Sequence, residues 1–198
     1  MEQSASFRDI FRQVPESLVV ERDDEITDLG MEPQTRREIA AHLYKALADS
    51  HVLQLKASRY YWNVKGPIAH GLRHIWKDQV REQIELQDSL GLRIRALSFD
   101  VPYSLLEFLE LSEIRERGSI VTAEQMLRDL AEGHSLLTRS LKHAFPVLER
   151  SGDRATMDVL AHHIAFHESS MRTLLSCLQQ ESNPEWEKDT IGPKKLSN

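Results

Sequence analysis

Four long stretches of this chain carry apolar side chains three and four residues apart, and almost nothing inside them would stop a helix. Only eight glycines and seven prolines occur in 198 residues, and most of them lie outside the stretches. Such sparing use of turn formers favours long helices over a turn-rich β architecture.

The first stretch opens at Thr35-Arg36-Arg37-Glu38. This is a capping-box pattern, in which hydroxyl and carboxylate satisfy the orphan amides of a helix start. Ile39, Leu43, Leu47, Leu53 and Leu55 follow, up to about Trp62, where Gly66-Pro67 breaks the chain. A second helix is expected from about Ile68 to Leu97, with Leu72, Ile75, Trp76, Val80, Ile84 and Leu90 as its apolar stripe. Asp100-Val101-Pro102 ends it, and Ser104 to Leu109 reads as a short connecting helix. Thr122-Ala123-Glu124-Gln125 is another capping box, opening a helix to about Glu149. Pro146 should kink or fray the last turn of that helix. Ser151-Gly152-Asp153 is a turn, and a final helix runs to about Leu178.

Short links after the first and third helices, with a longer crossover between the second and third, describe an all-α four-helix bundle of ferritin-like connectivity. A helical bundle of another kind fits the same pattern. The expected organisation is an acidic arm over 1–32, the bundle over 33–180 and a flexible tail over 181–198.

Charge restricts the partners. The net charge is −6. The first thirty residues hold Glu2, Asp9, Glu16, Glu21, Asp23, Asp24, Glu25 and Asp28 against Arg8, Arg12 and Arg22. An arm of that sign repels a phosphate backbone, so DNA binding through the termini is not expected. Lys188, Lys194 and Lys195 near the far end are diluted by Glu185, Glu187 and Asp189. No apolar run is long enough to span a bilayer and no secretion leader is visible, so a cytoplasmic protein without a membrane partner is expected. The single Cys177 agrees with a reducing compartment.

Tyr61-Trp62-Asn63-Val64-Lys65-Gly66-Pro67, with Leu72 five residues on, resembles the stretch joining the first two helices in the Dps family of mini-ferritins. Ile94-Arg95-Ala96-Leu97, Ser104 to Leu109, Glu124 to Leu127, Gly152 to Asp158 and His167-Glu168 follow in the family's order, so the likeness covers about residues 35–180. The resemblance implies a homo-oligomeric shell of twelve subunits that admits Fe(II), oxidises it with peroxide or oxygen and stores ferric mineral, protecting against oxidative stress. Several members also coat DNA through lysine-rich ends, which this sequence lacks.

The family's oxidation centre lies between two subunits, with two His and an Asp from one and an Asp and a Glu from the other. Hard iron calls for such oxygen and imidazole donors. Carried over without a gap, those positions fall on Tyr61, Arg73, Lys77, Asp88 and Leu92, and only Asp88 keeps the family's residue. A one-residue shift would recover His74 and Asp78, but it would move Lys77 into a core position and lose Asp88. The ungapped reading puts Arg73 and Lys77 on one helical face, four residues apart. The expectation is an intersubunit ion-pair cluster with Asp88 in place of the metal centre. Independent solvated charges are the plainer alternative.

Other candidates remain. His163 and His167 are four apart on the last helix, beside His162 and Glu168, a spacing that can clamp one metal ion. The plainer reading makes His167 a neutral, hydrogen-bonded member of the core stripe of Leu160, Ile164 and Met171. His70, His74 and Asp78 form a similar row on the second helix, with a solvated face as the alternative. No histidine has Glu three residues before it, so the Glu-x-x-His pairs of an in-bundle di-iron site are absent. Asp153 and Asp158 resemble the family's acidic residues at the pores through which iron enters; helix capping is the alternative. Cys177, among Leu174, Leu175 and Leu178, reads as a small core residue.

The functional expectation is an iron-holding shell whose Fe(II) oxidation is weak, absent or moved to a histidine-containing site. Zinc or another divalent ion at the histidines is the alternative cargo. A purely structural cage, or a partner subunit in a mixed shell, is the alternative function.

Overall fold

The computed structural model describes residues 30–101, 104–116, 118 and 122–181; the expectations for the acidic arm and the tail lie outside them, apart from the residues bordering the bundle. Among the described residues six helices follow one another: α1 (Pro33–Asn63), α2 (Ala69–Ala96), α3 (Leu105–Leu111), α4 (Ala123–Lys142), α5 (Phe145–Ser151) and α6 (Arg154–Glu181). The four long ones form two hairpins, α1 with α2 and α4 with α6, and α1 also packs on α4. The short α3 lies in the crossover and rests on α1. No helix among the described residues is long and apolar enough to cross a membrane.

Local chemistry sets the boundaries, in places differently from expectation. Helix α1 begins at Pro33, and its N-cap Glu32 makes no side-chain cap bond. A proline fits the first turn because its φ is preset and its missing amide would be unpaired anyway. Thr35 therefore falls inside the helix and its capping box does not form. The capping boxes that do form are Ser104 with Glu107 at α3 and Thr122 with Gln125 at α4. The expected third helix to Glu149 is two helices: α4 ends at Lys142, and α5 restarts with Pro146 in its first turn. Proline here opens a helix rather than kinking one. Gly152 closes α5 with φ of 70°, the left-handed region that suits glycine.

The core contains Leu43, Leu53, Trp76, Leu90, Ile94, Leu127, Leu137 and Leu160, all at most 1% exposed. Two stripe assignments are corrected. Ile84 is 51% and Leu55 45% exposed. On α2 the inward face runs through Leu72, Trp76, Gln79, Gln83, Leu86, Gln87 and Leu90, so Gln83 takes the place that hydropathy gave to Ile84. Its amide nitrogen donates to the Ser50 carbonyl at 2.9 Å, and that of Gln87 donates to Gln54 Oε1 at 3.2 Å. These bonds let Gln83 and Gln87 hold α1 against α2 with their amide nitrogens paired.

Other buried polar groups fasten the crossover and the helix ends. Asp49 Oδ1 accepts from Ser112 Oγ at 2.8 Å and from the amides of Glu113 and Ile114 at 2.7 and 3.2 Å. Lys45 reaches Glu113 at 2.6 Å. Lys56 meets Asp129 Oδ2 at 2.7 Å, and Tyr60 donates to the same oxygen at 2.7 Å. Arg93, near the end of α2, holds both oxygens of Asp153 at 2.8 and 2.9 Å at the start of α6.

Candidate functional site

The positions expected to carry the oxidation centre are spread along the outside of the α1–α2 hairpin. Tyr61 is half-buried, Arg73, Lys77 and Asp88 are exposed, and Leu92 is 64% exposed. Arg73 and Asp88 are both on α2, separated along the axis by roughly 22 Å at the helical rise. One chain cannot bring them together. Arg73 has its own local role: Nη2 donates to the Val64 carbonyl at 2.8 Å and Nε donates to that of Tyr61 at 3.4 Å. Its guanidinium thus sits on the carbonyl end of α1, where a cation complements the helix dipole.

His70, His74 and Asp78 stand exposed along the first half of α2. Among the described residues, no group of three or more His, Cys, Asp or Glu side chains is arranged to hold a metal ion.

Two histidines of α6 lie in the opposite setting, while His162 of the same helix is exposed. His163 and His167 are both completely buried. They are joined by a residue that the sequence reading passed over, His134 of α4, which is 2% exposed. Nδ1 of His134 lies 2.9 Å from Nδ1 of His167. Nε2 of His163 lies 3.1 Å from Ser89 Oγ on α2. The signal for His134 was its place in the stripe Leu127, Leu130, Leu137 and Leu141 of a strongly amphipathic helix. Polar residues on an apolar stripe are easily read as exceptions rather than as a cluster. Phe166 packs edge-on to His167, with ring centroids 4.9 Å apart.

Burial dominates the proton affinities there. Desolvation pushes His134 down to about 3 and His163 down to about 4. It holds His167 well below the ordinary value, with the neighbouring His134 and His163 adding to the effect. All three rings are neutral near pH 7, the form that hydrogen-bonds within an apolar core and that binds metals.

The two candidate pore residues part company. Asp158 is exposed on α6. Asp153 is buried, caps α6 by accepting from the Thr156 amide at 3.0 Å and is held by Arg93. Burial alone would raise its proton affinity, but the bonds from Thr156 and Arg93 outweigh that and hold its carboxyl below the usual range. Cys177 is partly buried and packs against the core, as expected.

Residues 40–182 match the family model of the ferritin-like domain. A low temperature-induced protein of Nostoc sp. is 29% identical over 157 residues, covering 77% of this chain and 86% of that protein. The DNA protection during starvation protein 2 of Bacillus anthracis is 28% identical over 124 residues, covering 63% of this chain and 85% of its own. Among solved structures, DpsC from Streptomyces coelicolor superposes with a TM-score of 0.76 at 21% identity, over 81% of this chain and 93% of that one. The Dps protein of Vibrio cholerae, described as a member of a broad superfamily of ferritin-like diiron-carboxylate proteins, gives 0.73 at 21% identity, over 77% and 96%.

Proposed function

This chain belongs to the ferritin-like domain family and, within it, to the Dps family, and from that premise we propose that it builds a cytoplasmic shell of twelve copies that holds iron as cargo while its own oxidation of Fe(II) is weak or absent. At family level the assignment stands for iron storage and stress protection. The observation that carries the finer reading is Arg73. A residue donating to the carbonyls of Val64 and Tyr61 occupies a position where the resemblance calls for a histidine ligand. A guanidinium has no lone pair to give a metal. Lys77, four residues on, stands where the resemblance calls for a carboxylate, and Leu92 has no donor atom at all.

Assembly into a shell is supported by what the outer surface exposes. Trp62 is 70% exposed, Leu92 64%, and Leu105 and Leu106 of α3 65% each. Adjacent exposed apolar side chains, as at Leu105 and Leu106, mark surfaces that an assembly covers. In that shell Asp88 would face Arg73 and Lys77 of a neighbouring copy as an ion-pair cluster. Exposed Asp158 would draw cations toward a pore through its charge.

Aerobic addition of Fe(II) to the purified protein, followed optically with and without peroxide, tests the reading. Iron retained in the shell with oxidation hardly faster than in buffer is the expected result. Rapid oxidation saturating at a fixed iron-to-chain ratio would overturn it. The loss of ligands also favours a second reading, a structural cage or a partner subunit with no metal role. Failure to retain any iron would select that one.

A further inference from the structure

We propose that His163 and His167 form a two-coordinate binding site for copper(I) in the interior of the bundle. The inference is independent of iron storage, because the site lies within one chain, away from the surface positions discussed above.

Hydrogen-bond accounting identifies the donor atoms. The Ser89 hydroxyl has a single hydrogen, and it goes to the Leu86 carbonyl at 2.7 Å. In the 3.1 Å contact with His163, Nε2 must therefore be the donor. Nδ1 of His163 is then a bare lone pair, and it is buried without a hydrogen-bond partner. On His167, Nδ1 is engaged with His134, while Nε2 is likewise buried and unpartnered. If His167 donates in that bond, its Nε2 is a second bare lone pair. The other tautomer would bury an N–H with nothing to accept it. An imidazole with one nitrogen anchored by a neighbour and the other lone pair free is how ligating histidines are held.

Distance and charge select the ion. The two ring centroids are 6.2 Å apart. With metal–nitrogen bonds of about 2.0 Å, each centroid lies roughly 3.2 Å from a bound ion. With the two free nitrogens turned toward one ion, a separation near 6.2 Å is the one a nearly linear pair needs, whereas a tetrahedral pair would bring the centroids to roughly 5.2 Å. The 40° between the ring planes is no obstacle, because rotation about a linear axis leaves the bonds unchanged. Copper(I), a closed-shell d¹⁰ ion, is stable with two nitrogen donors in line. Zinc and ferrous iron want more donors, and no three-donor group exists among the described residues. The charged forms that act on these rings are other histidines, His162 on His163 and His134 with His163 on His167. With no carboxylate to compensate, a single positive charge is far cheaper to bury than a double one.

The test is an anaerobic titration of the full-length protein with copper(I) against a chromophoric copper(I) chelator, followed by X-ray absorption at the copper edge. A single ion per chain, with two nitrogen neighbours and no sulfur, is expected. His163→Gln and His167→Gln should each weaken binding by about tenfold or more, and Ser89→Ala by about tenfold, since it only orients His163. Cys177→Ser and His74→Gln should bind as the parent does, and circular dichroism should confirm that helix content is kept. Sulfur neighbours, binding as tight as the parent's in either histidine variant, or no competition with the chelator would overturn the proposal. Should a histidine variant lose its fold, the absorption spectrum of the parent decides alone.

Discussion

Lys56 of α1 and Asp129 of α4 meet at 2.7 Å with side chains only 5% and 3% exposed. The Asp129 carboxylate also accepts from Tyr60, and the Lys56 ammonium donates to the Arg115 carbonyl at 3.1 Å. Each charge is thus paired and hydrogen-bonded in a largely buried position. Removing one partner leaves the other stranded, a loss of about 3–5 kcal/mol for a buried pair. Asp129→Ala should therefore lower the melting temperature by roughly 10 °C or more, since about 1 kcal/mol moves a chain of this size by 2–4 °C. The double variant Lys56→Met, Asp129→Leu removes both charges and should recover much of that loss. Differential scanning calorimetry checks this; a double variant less stable than Asp129→Ala would show that the pair itself holds the helices.

Asp49 fastens the crossover by one carboxylate oxygen that accepts from Ser112, Glu113 and Ile114. Burial raises its proton affinity, against the opposing pull of Lys45 and those donors. Asp49→Ala strands buried donors, each worth about 1–3 kcal/mol when left unpaired. Hydrogen exchange at Glu113 and Ile114 should speed up far more than exchange in α6. Asp49→Asn keeps an acceptor oxygen and should fall between. Uniform acceleration along the whole chain would mean that Asp49 supports the bundle globally and not this segment.

These two sites show where sequence reading stops. The helices were legible because apolar spacing and turn residues repeat over many positions, and the Thr122 capping box was read correctly from four residues. Ile84 was misplaced because hydropathy cannot see that Gln83 buries its amide on Ser50. Lys56, Asp129 and His134 were passed over for a related reason. Each acquires meaning only from a partner on another helix, 73 residues away between Lys56 and Asp129 and 33 between His134 and His167. His163 and His167 were legible as a pair because the helix itself puts them on one face.

Acid should weaken the protein through its buried imidazoles. His134 at about 3, His163 at about 4 and His167 well below 6.5 all take up protons in the unfolded chain before they do so in the folded one. Half-buried His42, lowered to about 4 by burial, acts with the same sign. Stability is therefore fully present above pH 6.5 and falls as pH drops below it, continuing toward pH 4. Each such histidine contributes a slope of about 1.4 kcal/mol per pH unit once its unfolded form is protonated. Urea unfolding at pH 7.5, 6.5, 5.5 and 5.0 should give a steepening loss, reduced in His134→Gln. A flat profile over that range would mean that the three rings are not buried as neutral groups.

Asp88 provides the last prediction, because it is the one position of the expected oxidation centre that keeps its residue. It is exposed on α2, as are Arg73 and Lys77 nearer the start of the same helix. Since roughly 22 Å of helix separates Arg73 from Asp88, they can meet only if a second copy lies alongside in the opposite direction. Two such contacts would then form by symmetry, one at each end. Asp88→Ala should shift the shell toward smaller species in light scattering, and Asp88→Lys, which sets like charges against each other, should shift it further. High salt should have the same effect on the parent if the pairs stay partly hydrated. Iron retained per chain should be unchanged at protein concentrations where the shell persists, because on this reading Asp88 binds a neighbour and not a metal. Intact assembly with lost iron binding would reverse the assignment and return Asp88 to the role of a ligand.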